Sequence, residues 1–188
     1  MLRRELQPGV ELRALEVWHA AELAEHLDRA REHIRPWVGP AFVTDDVEGA
    51  RATLTRYAER AAHDGARLLG LWVEGRLVGG VMFVDFDAAS GLCEVGCWLE
   101  PDAEGHGYVV AACRVLLDWA FGVRGLHRAE WRCRADNDRS SAVARRLGMR
   151  LEGVLREAWL NGGVHHDKQV WAVLADEWRT TGQRGGLG

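Results

Sequence analysis

The chain has 188 residues, 47% of them hydrophobic, with a formal charge of −4 and a pI near 6.1. That length suits one domain with a substantial core, and that charge argues against a general nucleic-acid binder. No uninterrupted apolar run approaches the roughly 18 residues of a membrane span, and the start turns polar at Arg3-Arg4-Glu5, without a signal peptide's apolar region; the sequence reads as soluble and cytoplasmic.

Residues 10–16 alternate apolar and polar side chains and are predicted as a first strand. Residues 18–32 carry Leu and Ala at helical spacing, and Pro36 and Pro40 break the chain around Trp37. Thr44 is the expected N-cap of a second helix over 45–63, with Asp45, Asp46 and Glu48 in its first turn. The apolar runs 67–73 and 77–86 flank Glu74-Gly75-Arg76 and read as a hairpin. Residues 92–99 form a further strand, ended by Pro101. A glycine-led helix spans 106–121, with Val109, Cys113, Leu116, Leu117 and Ala120 on one face. Next come a strand over 127–134, a short helix over 140–147 closed by Gly148, and strands over 150–159 and 164–174 around Asn161-Gly162-Gly163. Residues 180–188 are glycine-rich and polar and are expected to fray.

Three successive strands favour antiparallel hairpins, and the strand–helix–strand unit over 92–134 favours one parallel crossover. The expected fold is therefore mixed α/β: a mostly antiparallel seven-stranded sheet with helices on both faces, in one domain over residues 1–179. Cys93, Cys97, Cys113 and Cys133 contain no CxxC pair, so they read as buried reduced thiols and no metal site is expected.

The densest chemical signal is Glu104-Gly105-His106-Gly107-Tyr108-Val109-Val110. Two glycines between a strand and a helix aim backbone N–H groups, and the positive end of a helix dipole, at one spot, which suits a phosphate. A dinucleotide fold is excluded, because the turn follows the fourth strand, lacks a third glycine and has no acidic ribose ligand after it. Downstream stand Arg134-Ala135-Asp136-Asn137-Asp138-Arg139-Ser140-Ser141, then Leu147-Gly148-Met149, then Leu151-Glu152-Gly153 and Asn161-Gly162-Gly163.

This succession resembles the Gcn5-related N-acetyltransferases (GNAT), and within them the ribosomal-protein N-terminal acetyltransferases of the RimJ/RimL type. The resemblance implies acetyl-CoA or a related acyl-CoA as co-substrate, without a metal. It also implies that the fourth and fifth strands, 92–99 and 127–134, splay around the pantetheine arm. Backbone groups near Trp98 and Leu99 are expected to pair with its amides. The pyrophosphate is expected on the amides of Gly105, His106, Gly107, Tyr108, Val109 and Val110. Asn137 is carried over as a contact to the arm, and Ser140 as a donor to the departing thiolate; the competing reading makes Ser140 only a helix cap. Two departures stand out. The family's Gln or Arg three places before the first motif glycine is Asp102 here, and Glu104 adds a second negative charge. Relatives are often dimers, so a homodimer is implied, with no nucleic-acid or membrane partner.

Acyl transfer to an amine needs a base, and a free α-amine of pKa near 8 asks less of it than a lysine near 10.4. Glu94 is the first candidate, sharing a strand face with Gly96 and Trp98. Glu157 is the second. His165, His166 and Asp167 form a third cluster, with His165 a candidate wall of the acceptor site. A Ser140–His165–Asp167 triad lacks any GxSxG context. Trp72, Trp119, Trp131 and Trp171 read as core, whereas Trp37, between two prolines, is a candidate acceptor-site wall, with Arg35 nearby. The expected reaction is direct acetyl transfer to a primary amine, a protein N-terminus or a small molecule. The alternatives are a non-catalytic acyl-CoA-binding module and a different donor such as succinyl-CoA.

Overall fold

The computed structural model of the chain describes residues 3–39 and 42–184. Its strands are β1 (Arg3–Gln7), β2 (Val10–Ala14), β3 (Arg67–Val73), β4 (Arg76–Asp87), β5 (Leu92–Leu99), β6 (Arg128–Arg134), β7 (Arg150–Asn161) and β8 (Val164–Leu174). They form one sheet in the order β1-β2-β3-β4-β5-β6-β8-β7, antiparallel throughout except for the parallel β5/β6 pair. The helices are α1 (Ala20–Ile34), α2 (Val47–Ala62), α3 (Tyr108–Asp118), α4 (Asp138–Arg146) and α5 (Ala175–Arg184).

Strand alternation sends side chains to two separate cores. On one face Val81, Phe83, Val95, Trp131 and Trp171 pack with Cys113, Leu116 and Leu117 of α3 and with Ala144 of α4. On the other, Leu68, Trp72, Met82 and Trp98 pack with Leu23, Leu27 and Ala30 of α1 and Leu54 of α2. Cys93, Cys113 and Cys133 are buried and Cys97 half-buried, all unpaired, and burial pushes the Cys93 and Cys97 thiols up to about 12.

Eight strands replace the expected seven. The extra one, β1, is a mostly exposed edge strand of sequence Arg-Arg-Glu-Leu-Gln. Its order comes from hydrogen bonds to β2 rather than from an apolar face, so alternation does not reveal it. The cap of α2 is Asp46, whose Oδ1 accepts from Gly49 N at 2.7 Å, not Thr44. The last helix runs to Arg184, so the tail expected to fray from Thr180 is helical over its first residues; 185–188 lie outside the described residues.

Trp98, near the end of β5, is held from two sides. It faces Gly80 across the β4/β5 ladder. A Cβ on Gly80 would stand 2.1 Å from the indole and 2.3 Å from the Leu69 carbonyl oxygen, so only glycine lets the ring lie there. The indole Nε1 donates to Nε2 of His26 at 3.0 Å, and His26 is wholly buried. That bond fixes a neutral imidazole, since its acceptor nitrogen carries no proton. Nδ1 lies 3.5 Å from Glu100, which also pairs with Arg76 (2.5 Å) and Arg29 (3.6 Å).

Burial, then the Arg29 charge and more weakly Arg76, lower the His26 pKa from 6.5 to about 4. The unfolded chain therefore takes up this proton first as pH falls. Stability is lost between pH 6.5 and about 4 and levels off below. A shift of this size corresponds to about 3 kcal/mol. Denaturant melts across that window should show the slope, and His26→Gln, which keeps an acceptor for the indole, should flatten it. An equal slope in both proteins would assign it to other groups.

Candidate active site

β5 and β6 pair only from Leu92/Arg128 to Val95/Trp131 and then part. Gly96 to Leu99 stay paired with β4 on one side, while the other edge opens on a cavity of about 1270 Å³. That exceeds the roughly 300–1000 Å³ typical of one small-molecule site. The splay cuts through the sheet, so the cavity reaches both faces.

On the α3/α4 side the glycine turn forms one end. Gly105 and Gly107 have φ of +81° and +77°, and a Cβ on either would find no atom within 4 Å. Gly107 is the N-cap of α3, and no side chain caps the helix. The first-turn amides beside Tyr108, Val109 and Val110 thus meet the cavity with their hydrogen-bonding capacity unused by a cap, as an anion site requires. The ring of His106 stacks on Tyr108 at 5.1 Å and lies off the cavity wall, so the cradle is one of backbone. The expected repulsion from Glu104 is answered locally. Its carboxylate accepts from Arg139 at 2.8 and 3.0 Å and sits 2.7 Å from Nε2 of His33. Asp102 is exposed and off the wall.

Asn137, not Ser140, caps α4: its Oδ1 accepts from Ser140 N at 3.0 Å. Both residues line the cavity. Ser140 Oγ accepts from Trp131 Nε1 at 2.9 Å. An indole N–H only donates, so the serine keeps its own hydroxyl proton to give. The reading of Ser140 as a mere cap is thereby removed.

On the α1/α2 side Glu94, Met82, Val84 and Gly96 line the cavity with Tyr57 of α2. The Glu94 side chain is 22% exposed and lies 3.6 Å from Arg132 Nε. Burial raises its pKa above 4.5, opposed by Arg132 and Lys168. Trp98 contributes at the end of β5, its buried ring edge-on to Phe42 at 4.9 Å. Trp37 lines the opening, under the Arg134 guanidinium at 4.7 Å. Its loop is held from across the sheet: the Pro36 carbonyl accepts from Arg134 (3.1 Å) and Asn161 (2.9 Å), and the Arg35 carbonyl from Asn161 (3.2 Å).

Glu157 and His165 stand apart from this wall. β7 bulges between Leu155 and Trp159, and Glu157 takes φ +54° there. Its amide donates to Asp167 Oδ1 at 2.9 Å, and its carbonyl lies 3.2 Å from His165 Nδ1. These residues hold a bulge and do not meet Ser140, so no Ser–His–Asp triad forms. Residues the sequence gave no reason to single out do reach the cavity: Arg56, Tyr57, Arg139, Trp159 and Lys168. Tyr57 reads as one more helical core position, and Lys168 carries no local motif. Among the described residues, no cluster of three His, Cys, Asp or Glu is gathered for a metal, and no helix is long and apolar enough to cross a membrane.

A mixed sheet splayed at its one parallel pair, with an uncapped glycine-led helix at the split, defines the class. Residues 10–150 match the acetyltransferase (GNAT) domain family, and the chain belongs to it as a GNAT-family N-acetyltransferase. It is 29% identical over 179 residues to YdaF, a putative ribosomal N-acetyltransferase of Bacillus subtilis, spanning 95% of this chain and 98% of that one. It is 25% identical over 173 residues to the ribosomal-protein-serine acetyltransferase of Escherichia coli, spanning 92% and 96%. A solved probable acetyltransferase superposes with a TM-score of 0.86 at 27% identity, over 95% of this chain and 99% of the other. The fold is shared equally with RimL, a ribosomal L7/L12 α-N-protein acetyltransferase solved with coenzyme A (TM-score 0.86, 24% identity, 93% and 99% coverage).

Proposed function

We propose that this protein transfers an acetyl group from acetyl-CoA directly to a primary amine in a ternary complex, with a protein α-amine as the leading acceptor. The observation that carries this is the single cavity through the splay. It has a backbone phosphate cradle on one face of the sheet and a desolvated carboxylate, Glu94, on the other. A relative solved with acetyl-CoA and AMP, the microcin C7 self-immunity acetyltransferase MccE, has the same fold (TM-score 0.82, 25% identity) and supports the donor. The named ribosomal-protein acetyltransferases support the acceptor class.

Bound acetyl-CoA supplies the activated acyl group. The residues that suit it are the amides from Gly105 to Val110 for the pyrophosphate, with the open β5 edge at Trp98 and Leu99 and the Asn137 side chain for the arm. The contacts of Glu104 with Arg139 and His33 weaken one ground for the alternative, a non-catalytic acyl-CoA-binding module. Glu94 takes a proton from the attacking amine as its nitrogen bonds to the acyl carbon and later returns it to solvent. As the C–S bond breaks, Ser140 donates a hydrogen bond to the departing thiolate, which leaves to be protonated by water.

The direct test mixes the protein with acetyl-CoA and a panel of peptides, amino acids and small amines. Free thiol and an acetylated product mass should appear with at least one amine. Ser140→Ala should lower kcat about 10-fold or more with a smaller change in coenzyme A affinity, as for a group that acts in the transition state. Equal losses in kcat and affinity would make Ser140 a structural support for Trp131.

A further inference from the structure

The α1/α2 face of the sheet is a strip across four strands. It runs from Glu94 on β5, over Arg132 on β6 and Lys168 on β8, to Trp159 on β7, and Arg56 of α2 lines the same cavity. Within the cavity this strip has three cations and one carboxylate. Arg132 is engaged, by Glu130 at 2.7 Å and Glu94 at 3.6 Å. The other two differ. Lys168 Nζ lies over the Trp159 ring at 5.3 Å and feels Glu94 only at longer range, and neither it nor Arg56 is in an ion pair with a carboxylate among the described residues. Just outside the cavity, three cations of the same face are matched: Arg60 with Asp85 (3.3 Å), Arg134 with Asp136 (2.5 Å) and Arg128 with Glu152 (2.5 Å). In the other half of the cavity Arg114 of α3 and Arg146 of α4 are likewise without an ion pair among the described residues, on the side of the phosphate cradle, so Lys168 and Arg56 are the unmatched cations of the acceptor half.

Filling that half with substrate takes Lys168 out of water, which is costly unless an anion arrives with the substrate. We infer that the acceptor is an α-amine followed, one or two residues on, by an acidic side chain, whose carboxylate is held by Lys168 and Arg56 while the amine meets Glu94. This rests on the acetyl-transfer reading above.

The ladder registers set the spacing. Glu94 pairs with Glu130, and Lys168 with Arg134, so they differ by two strand spacings and four residues along β6. Sheet geometry then puts their Cα atoms about 16 Å apart. Side chains reaching toward each other shorten the gap between charges to roughly 6–10 Å, the span of two or three extended residues. A free amino acid, with amine and carboxylate on one carbon, is too short to bridge it.

The test uses hexapeptides beginning with Ala, carrying Asp at position 2 or 3, each paired with its Asn counterpart. In the wild type, kcat/KM should favour Asp about 10-fold or more, the scale of one charge-assisted contact. Lys168→Gln and Arg56→Gln should each move that ratio toward one, and Lys168→Arg should restore it. A wild-type ratio near one, a preference for Asn, or a ratio the Gln variants leave unmoved overturns the inference. Acetylation of neutral peptides alone would keep the enzyme reading and sink only this one. The same pairs titrated against protein saturated with coenzyme A, followed by tryptophan fluorescence, report affinity without turnover. A protein that acetylates nothing would fail the enzyme reading, and the Asp-over-Asn binding preference would still decide the acceptor question.

Discussion

Gly107→Val should abolish the stabilisation of this protein by coenzyme A while leaving the fold standing. Two properties of the position separate these effects. Its φ of +77° is one that a β-branched residue adopts only under strain, at roughly 1–3 kcal/mol. Its Cβ would touch no protein atom within 4 Å, so no core packing is disturbed. The added side chain instead stands in the open space facing the uncapped first-turn amides of α3. At 100 times its dissociation constant, coenzyme A adds about 2.7 kcal/mol of stability, a shift of roughly 5–10 °C for a chain this size. The variant should melt a few degrees lower and show no shift. Gly162→Val is the matched control: φ is +58°, nothing lies within 4 Å, and the residue sits in the β7–β8 turn away from the cavity. It should share the strain and keep the shift. A full ligand shift in Gly107→Val would place the phosphates elsewhere.

The glycine turn was legible in the sequence because its signal is local: strand, two glycines and helix lie within a few residues. The order of elements was legible for the same reason, and with it the single parallel pair that permits the splay. What could not be read was set by distant partners. Ser140 looked like a helix cap, but the Asn137 side chain, three residues earlier, takes that role, and Ser140 Oγ instead accepts from the Trp131 indole of β6. Glu104 looked repulsive because Arg139, which neutralises it, and His33, which hydrogen-bonds it, lie 35 and 71 residues away in the chain. Glu157 looked catalytic by its neighbourhood, but a bulge, invisible to period-two reasoning, turns it onto Asp167. The acceptor wall was least legible. Arg56, Lys168 and Trp159 come from three elements and reach one cavity only because the splay brings one face of the sheet into it.

Glu94→Gln is expected to lower kcat by about 10²–10³ while the coenzyme A melting shift persists, since general-base help is worth about that much and the cradle lies on the opposite face of the sheet. The size of the loss alone does not separate a base from a carboxylate that merely orients the amine; its pH dependence does. Burial holds the Glu94 pKa above 4.5, with Arg132 and Lys168 pulling it back. A base acts as the carboxylate, so wild-type kcat/KM should fall as pH drops through that raised value, and this acid limb should be missing in the variant. At the other end the substrate changes the outcome. An α-amine loses its proton near pH 8, so at higher pH much of it arrives neutral and needs no base. The deficit of Glu94→Gln should therefore shrink between pH 7 and 9. A deficit constant over that range would mean that Glu94 only positions the amine, and the proton would have to leave by another route.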